Sequence, residues 1–155
     1  MFEKILVCLD GSELAEQILP HVTEEALHFG SKMVLLRVIA PPGIVPTAAA
    51  GVPAYTAEAV THQMQSEETE AKAYLERLAQ PLRKKGLDVE CVTWERWPAG
   101  EAIVGYADRN KVSLIAIATH GRSGLGRLVF GSVADFVLRA SGLPILLIKP
   151  KKTGT

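Results

Sequence analysis

The chain has 155 residues, 48% of them apolar and 22% charged, and its 17 Lys and Arg residues balance 17 Asp and Glu residues. These values are typical of one globular domain that can bury its own core. The neutral balance argues against a nucleic-acid-binding surface. No apolar run approaches the roughly 18 residues of a membrane span, and the amino end lacks the long apolar segment of a leader peptide. We therefore expect a cytoplasmic protein.

Short apolar runs alternate with amphipathic stretches along the whole chain. The first strand is predicted at 4–10, and a helix over 11–30 follows, which Gly30 ends and in which Pro20 favours a kink. A proline-rich loop is predicted from about 41 to 57. The other predicted elements are strands at 32–39, 88–95, 112–119 and 143–150 and helices at 58–86, 98–110 (opened by Pro98) and 132–142.

This alternation predicts an α/β domain with a five-stranded parallel sheet and helices on both faces. We expect strand order 3-2-1-4-5, a single Rossmann-like domain over residues 1–150 and a frayed tail at 151–155. Ligands of such sheets bind at the carboxyl ends of the strands, where the connection order reverses, here between the first and fourth strands. The order also places Cys8 and Cys91 two strand spacings apart, about 9–10 Å, which is too far for a disulfide.

A glycine-rich stretch, ATHGRSGLGRLVFGSVADF at 118–136, follows the fourth strand. It lacks the G-x-G-x-x-G of a dinucleotide site and the lysine of a P-loop. Gly131 and Ser132 open the last helix, whose free amides and dipole suit an anion. The alternative is that Ser132 and Asp135 form an ordinary helix cap and the glycines serve the turn.

The quoted residues resemble a known family. THGRSGL, GSVA, VLR and PILLI together are similar to the carboxyl-terminal signature of the universal stress proteins, and ILVCLDGSELAE and LLRVI resemble the first two strands of that family. Its nucleotide-binding branch carries G-x-x-G-x9-G-[S/T]. Gly121, Gly131 and Ser132 match the last three elements of this pattern, whereas Ala118 stands at the first glycine.

The resemblance implies a domain of the adenine nucleotide alpha hydrolase-like kind that binds ATP, or ADP or AMP, and often dimerises. By position, Asp10 faces the adenosine, the backbone of Val38 receives the adenine edge, and Ala118 lies where the backbone meets ribose or phosphate. The ribose and phosphates are surrounded by Gly121, Arg122, Gly124, Gly131, Ser132 and Val133, with His120 beside them. Any Mg²⁺ would be held mainly by phosphate oxygens; no catalytic residue and no protein metal ligand is assigned.

Several of these residues have simpler interpretations. Asp10 and Glu13 form a D-x-x-E capping box, so Asp10 can cap the first helix. His21 and His28 lie on a solvated helix face, without a third ligand nearby. Trp94 and Trp97 are expected to pack, with a partner surface as the alternative.

The last strand is predicted at a sheet edge because prolines flank it. An open apolar edge favours pairing with a second copy, so we expect a homodimer through Ile145–Lys149. The function expected is a stress-linked, nucleotide-binding sensor or regulatory module with at most slow hydrolysis. A non-nucleotide-binding interaction protein of the same fold and an ATP-dependent hydrolase remain the alternatives.

Overall fold

A computed structural model describes residues 1–41, 57–119 and 131–151 of the chain. Within these residues strands alternate with helices, as the sequence predicts. The strands are β1 (Lys4–Cys8), β2 (Lys32–Ile39), β3 (Val89–Glu95), β4 (Leu114–Ala118) and β5 (Ile145–Ile148). The helices are α1 (Glu13–Glu16), α2 (Ile18–Phe29), α3 (Ala57–Lys84), α4 (Ala99–Arg109) and α5 (Ser132–Ala140).

The described strands form one sheet in which every neighbouring pair is parallel. Their order is β3-β2-β1-β4-β5, which confirms the predicted topology. Leu6 on the central β1 pairs with Val34 on β2 and with Ile115 on β4. Along the chain, β2 and β3 are added on one side of β1, and β4 and β5 are then added on its other side. The order of connection therefore reverses between β1 and β4.

The sheet is buried on both faces because successive side chains of a strand point to opposite sides. Ile5 and Val7 face a core formed with α2 and α3, whereas Leu6 and Cys8 face a second core formed with α4 and α5. All five residues of β4 are buried, which explains why this segment is the most hydrophobic strand in the sequence. Both cysteines are free thiols.

The single helix predicted over 11–30 is wrong in one respect: the structure divides it into α1 and α2 at Gln17. Pro20 lacks an amide hydrogen and its ring would clash with the carbonyl of Glu16, four residues earlier. The chain therefore starts a new helix at Ile18, which places Pro20 in the first turn, where proline is tolerated. The predicted stop at Gly30 is confirmed, and this glycine adopts the left-handed conformation with φ 65°.

The start of the predicted tail is held by a contact that the tertiary structure creates. The side chain of Gln17 donates to the carbonyl of Lys151 at 2.8 Å and accepts from its amide at 2.9 Å. The first residue of the predicted tail is therefore held against the break between α1 and α2, while residues 152–155 lie outside the described residues.

No helix in the described part of the chain combines the length and apolar character needed to cross a bilayer.

Candidate functional site

A crevice of about 530 Å³ lies at the carboxyl edge of the sheet. Its walls come from the ends of β1, β2 and β4 and from the starts of α4 and α5, with Ala15 of α1 at one side. The crevice opens at the reversal point because the chain leaving β1 runs to the α2 and α3 face, whereas the chain entering α5 runs on the opposite face. This is the position that the predicted strand order assigns to a ligand site.

The turn after β1 forms the first wall and carries Asp10. One carboxylate oxygen of Asp10 accepts from the backbone amide of Ser12 at 2.9 Å and from its hydroxyl at 2.6 Å. Ser12 in turn is the N-cap of α1, and its hydroxyl accepts from the amide of Ala15 at 3.1 Å. The interpretation of Asp10 and Glu13 as a capping box is therefore wrong. Asp10 orients the capping serine, and the Asp10 side chain is exposed and lines the crevice.

Arg37 approaches this turn from β2, a contact that the sequence analysis did not find. A methyl group on Gly11 would lie 3.2 Å from the guanidinium carbon of Arg37, and Gly11 adopts φ 89°, which favours glycine. The guanidinium also lies over the ring of Tyr74 on α3, 5.2 Å from its centroid. Burial, and then the charge of Glu16, raise the pKa of the Tyr74 phenol, so the ring beneath Arg37 stays neutral. Arg37 thus brings a cation to the crevice beside Asp10.

Val38, the next residue on β2, lines the crevice from the other face of the sheet. Its half-buried side chain packs against the core under α4 and α5, as the sequence analysis expects, and its strand partner on β3 is Trp94. The apolar side chain of Val38 therefore contributes to the core and offers a ligand no polar group. The polar groups that Val38 can offer a ligand are those of its backbone.

The start of α5 forms the opposite wall. Gly131 is the N-cap with φ −51° and ψ 153°, and no side chain in the described part of the chain caps the helix. The S-x-x-D capping interpretation is wrong, because Ser132 is already the first helical residue and Asp135 instead pairs with Arg139 at 3.0 Å. The first amides of α5, those of Ser132, Val133 and Ala134, have no acceptor within the helix. All four residues from Gly131 to Ala134 line the crevice.

The floor between these walls is apolar. Cys8, Leu36, Ile117 and Ala118 line it, and Ala118 is only 8% exposed at the end of β4. Burial raises the pKa of the Cys8 thiol to about 12, so this group stays neutral at physiological pH. A ligand on this floor contacts uncharged surface, and its charged neighbours among the described residues are Asp10 and Arg37.

Four of the predicted site residues lie outside the described residues: His120, Gly121, Arg122 and Gly124. The structure does bring together the other six, which come from three strand ends and one helix start: Asp10, Val38, Ala118, Gly131, Ser132 and Val133. Their assignment to particular parts of a ligand stays a prediction.

Trp97, like Arg37, lines the crevice although the sequence analysis did not assign it to the site. Trp94 packs edge-on against Tyr106, with the ring centroids 5.0 Å apart, as the packing interpretation expects. Trp97 instead lines the crevice and is 45% exposed. The signal was present in the sequence: Trp97 comes just after the third strand, whose carboxyl end lies at the same edge of the sheet as those of its neighbours.

This combination of groups suits an elongated, partly aromatic anion. Free amides at a helix start, reinforced by the helix dipole, bind phosphate or carboxylate groups. The apolar floor and a few polar groups at the rim are typical of pockets for small molecules, as is the volume. Among the described residues no group of three or more His, Cys, Asp or Glu side chains is placed to hold a metal ion.

The sheet order and the position of the crevice define a doubly wound α/β protein of the Rossmann-like class. The sequence profile of the Universal stress protein family matches residues 1–149. The chain belongs to this family, which confirms the resemblance seen in its motifs.

Individual relatives agree with this membership over nearly their full lengths. Universal stress protein MJ0531 of Methanocaldococcus jannaschii is 29% identical over 154 residues, which cover 98% of this chain and 85% of that protein. The solved structure of protein MJ0577 of the same organism has a TM-score of 0.80 at 29% identity and covers 99% of both chains. The universal stress protein from Archaeoglobus fulgidus in complex with dAMP shares the fold, with a TM-score of 0.61 at 24% identity and coverage of 96% of this chain and 98% of that one.

Proposed function

We propose that the crevice binds an adenine nucleotide, ATP in the first place, and that the protein acts as a nucleotide-dependent sensor or regulatory module in a stress response. The observation that carries the proposal is the start of α5. Its first amides face the crevice without a capping side chain in the described part of the chain, opposite the turn that carries Asp10. The dAMP bound by the Archaeoglobus fulgidus protein makes an adenine nucleotide the natural ligand to test.

In this proposal the phosphates lie at the amides of Ser132 and Val133, where the absence of a side chain on Gly131 permits close approach. The ribose and base extend over the apolar floor toward β2, so that Asp10 faces the adenosine and the backbone of Val38 receives the adenine edge. His120, Gly121, Arg122 and Gly124 are expected to complete the enclosure of ribose and phosphates. ADP and AMP fit the same amides, since backbone N–H groups accept any phosphate.

Hydrolysis is expected to be slow. The segment GRLVFGS has the glycine spacing of a P-loop but carries serine where that motif has its lysine. Mg²⁺ would accompany ATP through the phosphate oxygens, because it prefers phosphates with one or two carboxylates over an all-protein cage. The role proposed is therefore binding rather than turnover.

Equilibrium dialysis against labelled ATP tests the proposal. The unaltered protein should show saturable uptake, and Gly131→Val should abolish it, because the isopropyl group occupies the space in front of the α5 amides. Gly142→Val is the matched control: it lies just beyond the other end of α5, and a Cβ there meets no atom within 4 Å. No saturable uptake by the unaltered protein at millimolar ATP would overturn the proposal.

We further propose that the protein is a homodimer joined through β5. This strand is at the edge of the sheet, and its four residues are only half-buried. The carbonyls of Pro144 and Ile148 bond to β4, so the intervening residues Ile145 and Leu147 direct their backbone groups to the open side. A second copy that pairs there would cover both the backbone groups and the apolar side chains.

Light scattering after size-exclusion chromatography tests this interface. Leu147→Pro removes an outward amide without removing a bond to β4, and it should convert a dimer into a monomer. Leu147→Val should remain dimeric. A monomeric unaltered protein would contradict the proposal.

A further inference from the structure

Trp97 is the largest side chain at the mouth of the crevice, and nearly half of its surface is exposed. Its exposure of 45% contrasts with the floor residues beside it, which are below 9%. A solvent-exposed indole at the rim of an apolar pocket presents a flat aromatic surface to a ligand that binds there. Within the described residues no aromatic ring packs against this indole, whereas Trp94 packs edge-on against Tyr106.

The position of Trp97 is set by two rigid elements. On its amino side, β3 pairs with β2 up to the contact of Glu95 with Ile39, and the amide of Arg96 then bonds to the carbonyl of Trp94 at 3.1 Å. On its carboxyl side, Pro98 is the N-cap of α4. Trp97 therefore lies in a short connection between a strand and a helix, two residues beyond the strand that pairs with β2.

The two ends of the crevice consequently differ in chemistry. The start of α5 offers backbone amides, β2 offers Val38, and the indole of Trp97 follows β3, the strand paired with β2. One strand, β1, separates β2 from β4, so these two strands are about 9–10 Å apart. A ligand whose anionic tail lies at α5 and which extends along the floor toward β2 shares the crevice with the exposed indole of Trp97.

We infer that Trp97 stacks on the base of the bound nucleotide and makes the site selective for ligands with a large aromatic base. This inference rests on the proposed function and deepens it. Stacking on an aromatic side chain adds about 1–3 kcal/mol per base, which corresponds to roughly 5- to 150-fold in affinity. Purine nucleotides should therefore bind more tightly than pyrimidine nucleotides, since the purine offers the larger face.

Binding measurements on Trp97 variants test the inference. Trp97→Ala should weaken ATP binding about tenfold, and Trp97→Phe, which keeps an aromatic face, should recover part of that loss. The affinity for inorganic tripolyphosphate, which has no base, should be the same in all three proteins. A matched control is Trp94→Phe, because Trp94 packs in the core and does not line the crevice.

Tryptophan fluorescence gives a second readout, since the chain has only two tryptophans. Saturating ATP should change the emission of the unaltered protein and of Trp94→Phe, in which Trp97 alone emits. The change should vanish in Trp97→Phe, in which Trp94 alone emits. This result would not follow from a purely structural role for Trp97.

The outcomes separate the inference from the proposal beneath it. If the unaltered protein binds ATP and Trp97→Ala binds it equally well, the inference is wrong while the proposed function stands. Equal losses of ATP and tripolyphosphate affinity in Trp97→Ala would also overturn it, because they would indicate a disturbed site rather than a lost stack. If the unaltered protein takes up no nucleotide, both fail together.

Discussion

Two helix starts face each other across the crevice, and they are built differently. At α1, the hydroxyl of Ser12 accepts from the amide of Ala15, and Asp10 holds the serine in place. At α5, the cap residue is Gly131, and no described side chain occupies the amides. Because Ser12 caps α1 and no described side chain caps α5, the proposal assigns the anion to the amides of α5.

The two starts also differ in what fixes their position. The start of α1 is held locally, by hydrogen bonds within a few residues. The start of α5 depends on packing, because Val137 is fully buried in the core and Phe136 lies against Gly100 of α4. Changes that add a cap to α5, remove the cap from α1 or disturb the α4 contact should therefore have separable effects.

The largest effect is expected when α5 receives the cap that it lacks. In Gly131→Asp the carboxylate can accept from the first amides and also repels phosphate, so ATP affinity should fall by about 100-fold or more, equivalent to about 2.7 kcal/mol. The free energy of unfolding should stay the same or rise by a few tenths of a kcal/mol. Calorimetric titration and thermal unfolding measure the two quantities. Gly142→Asp, at the far end of α5, should retain binding; if Gly131→Asp also does, the amides are not the anion site.

The next largest effect is expected at the contact between α4 and α5. A methyl group on Gly100 would lie 2.7 Å from the ring of Phe136, so Gly100→Ala should lower the free energy of unfolding by about 2 kcal/mol as the ring is displaced. Gly105→Ala in the same helix meets no atom within 4 Å and should instead raise it by about 0.5–1 kcal/mol. Urea unfolding of both variants checks this pair. Equal effects would show that packing against α4 does not constrain α5.

Removal of the α1 cap should have a smaller effect. Ser12→Ala leaves the amide of Ala15 without its acceptor and should cost about 1 kcal/mol of stability. Ser12→Thr keeps a hydroxyl and should recover most of that loss. Thermal denaturation distinguishes the two, and a neutral Ser12→Ala would mean that Asp10 takes over the cap.

The smallest effect is expected for the surface pair of Asp135 with Arg139. Both side chains are substantially exposed, so Arg139→Gln should cost only about 0.3–0.5 kcal/mol, and the difference should disappear at high salt. Chemical denaturation at low and high ionic strength measures it. A salt-independent loss above about 1 kcal/mol would show that Arg139 stabilises the protein by more than this surface ion pair.

These two starts also show where sequence reasoning succeeds and where it does not. The parallel sheet could be predicted, because apolar periodicity and the alternation of strands with helices carry that information. The position of the crevice followed from the expected order 3-2-1-4-5, which is one of two common doubly wound orders and which the structure confirms. The caps could not, because S-x-x-D and D-x-x-E describe residues that are able to cap. Which residue does so depends on backbone angles at Ser12 and Gly131 that the motif does not contain.

The amino-acid sequence by itself determined the fold class, the family and the edge of the sheet at which a ligand would bind. These follow from hydrophobic patterning and motifs that are local in the chain. Only the tertiary structure brought Arg37 over Tyr74, set Trp97 at the rim of the crevice and left the start of α5 uncapped by the described residues. The reason is that such contacts join residues distant in sequence, whose directions are set by the twist and register of the sheet rather than by any local pattern.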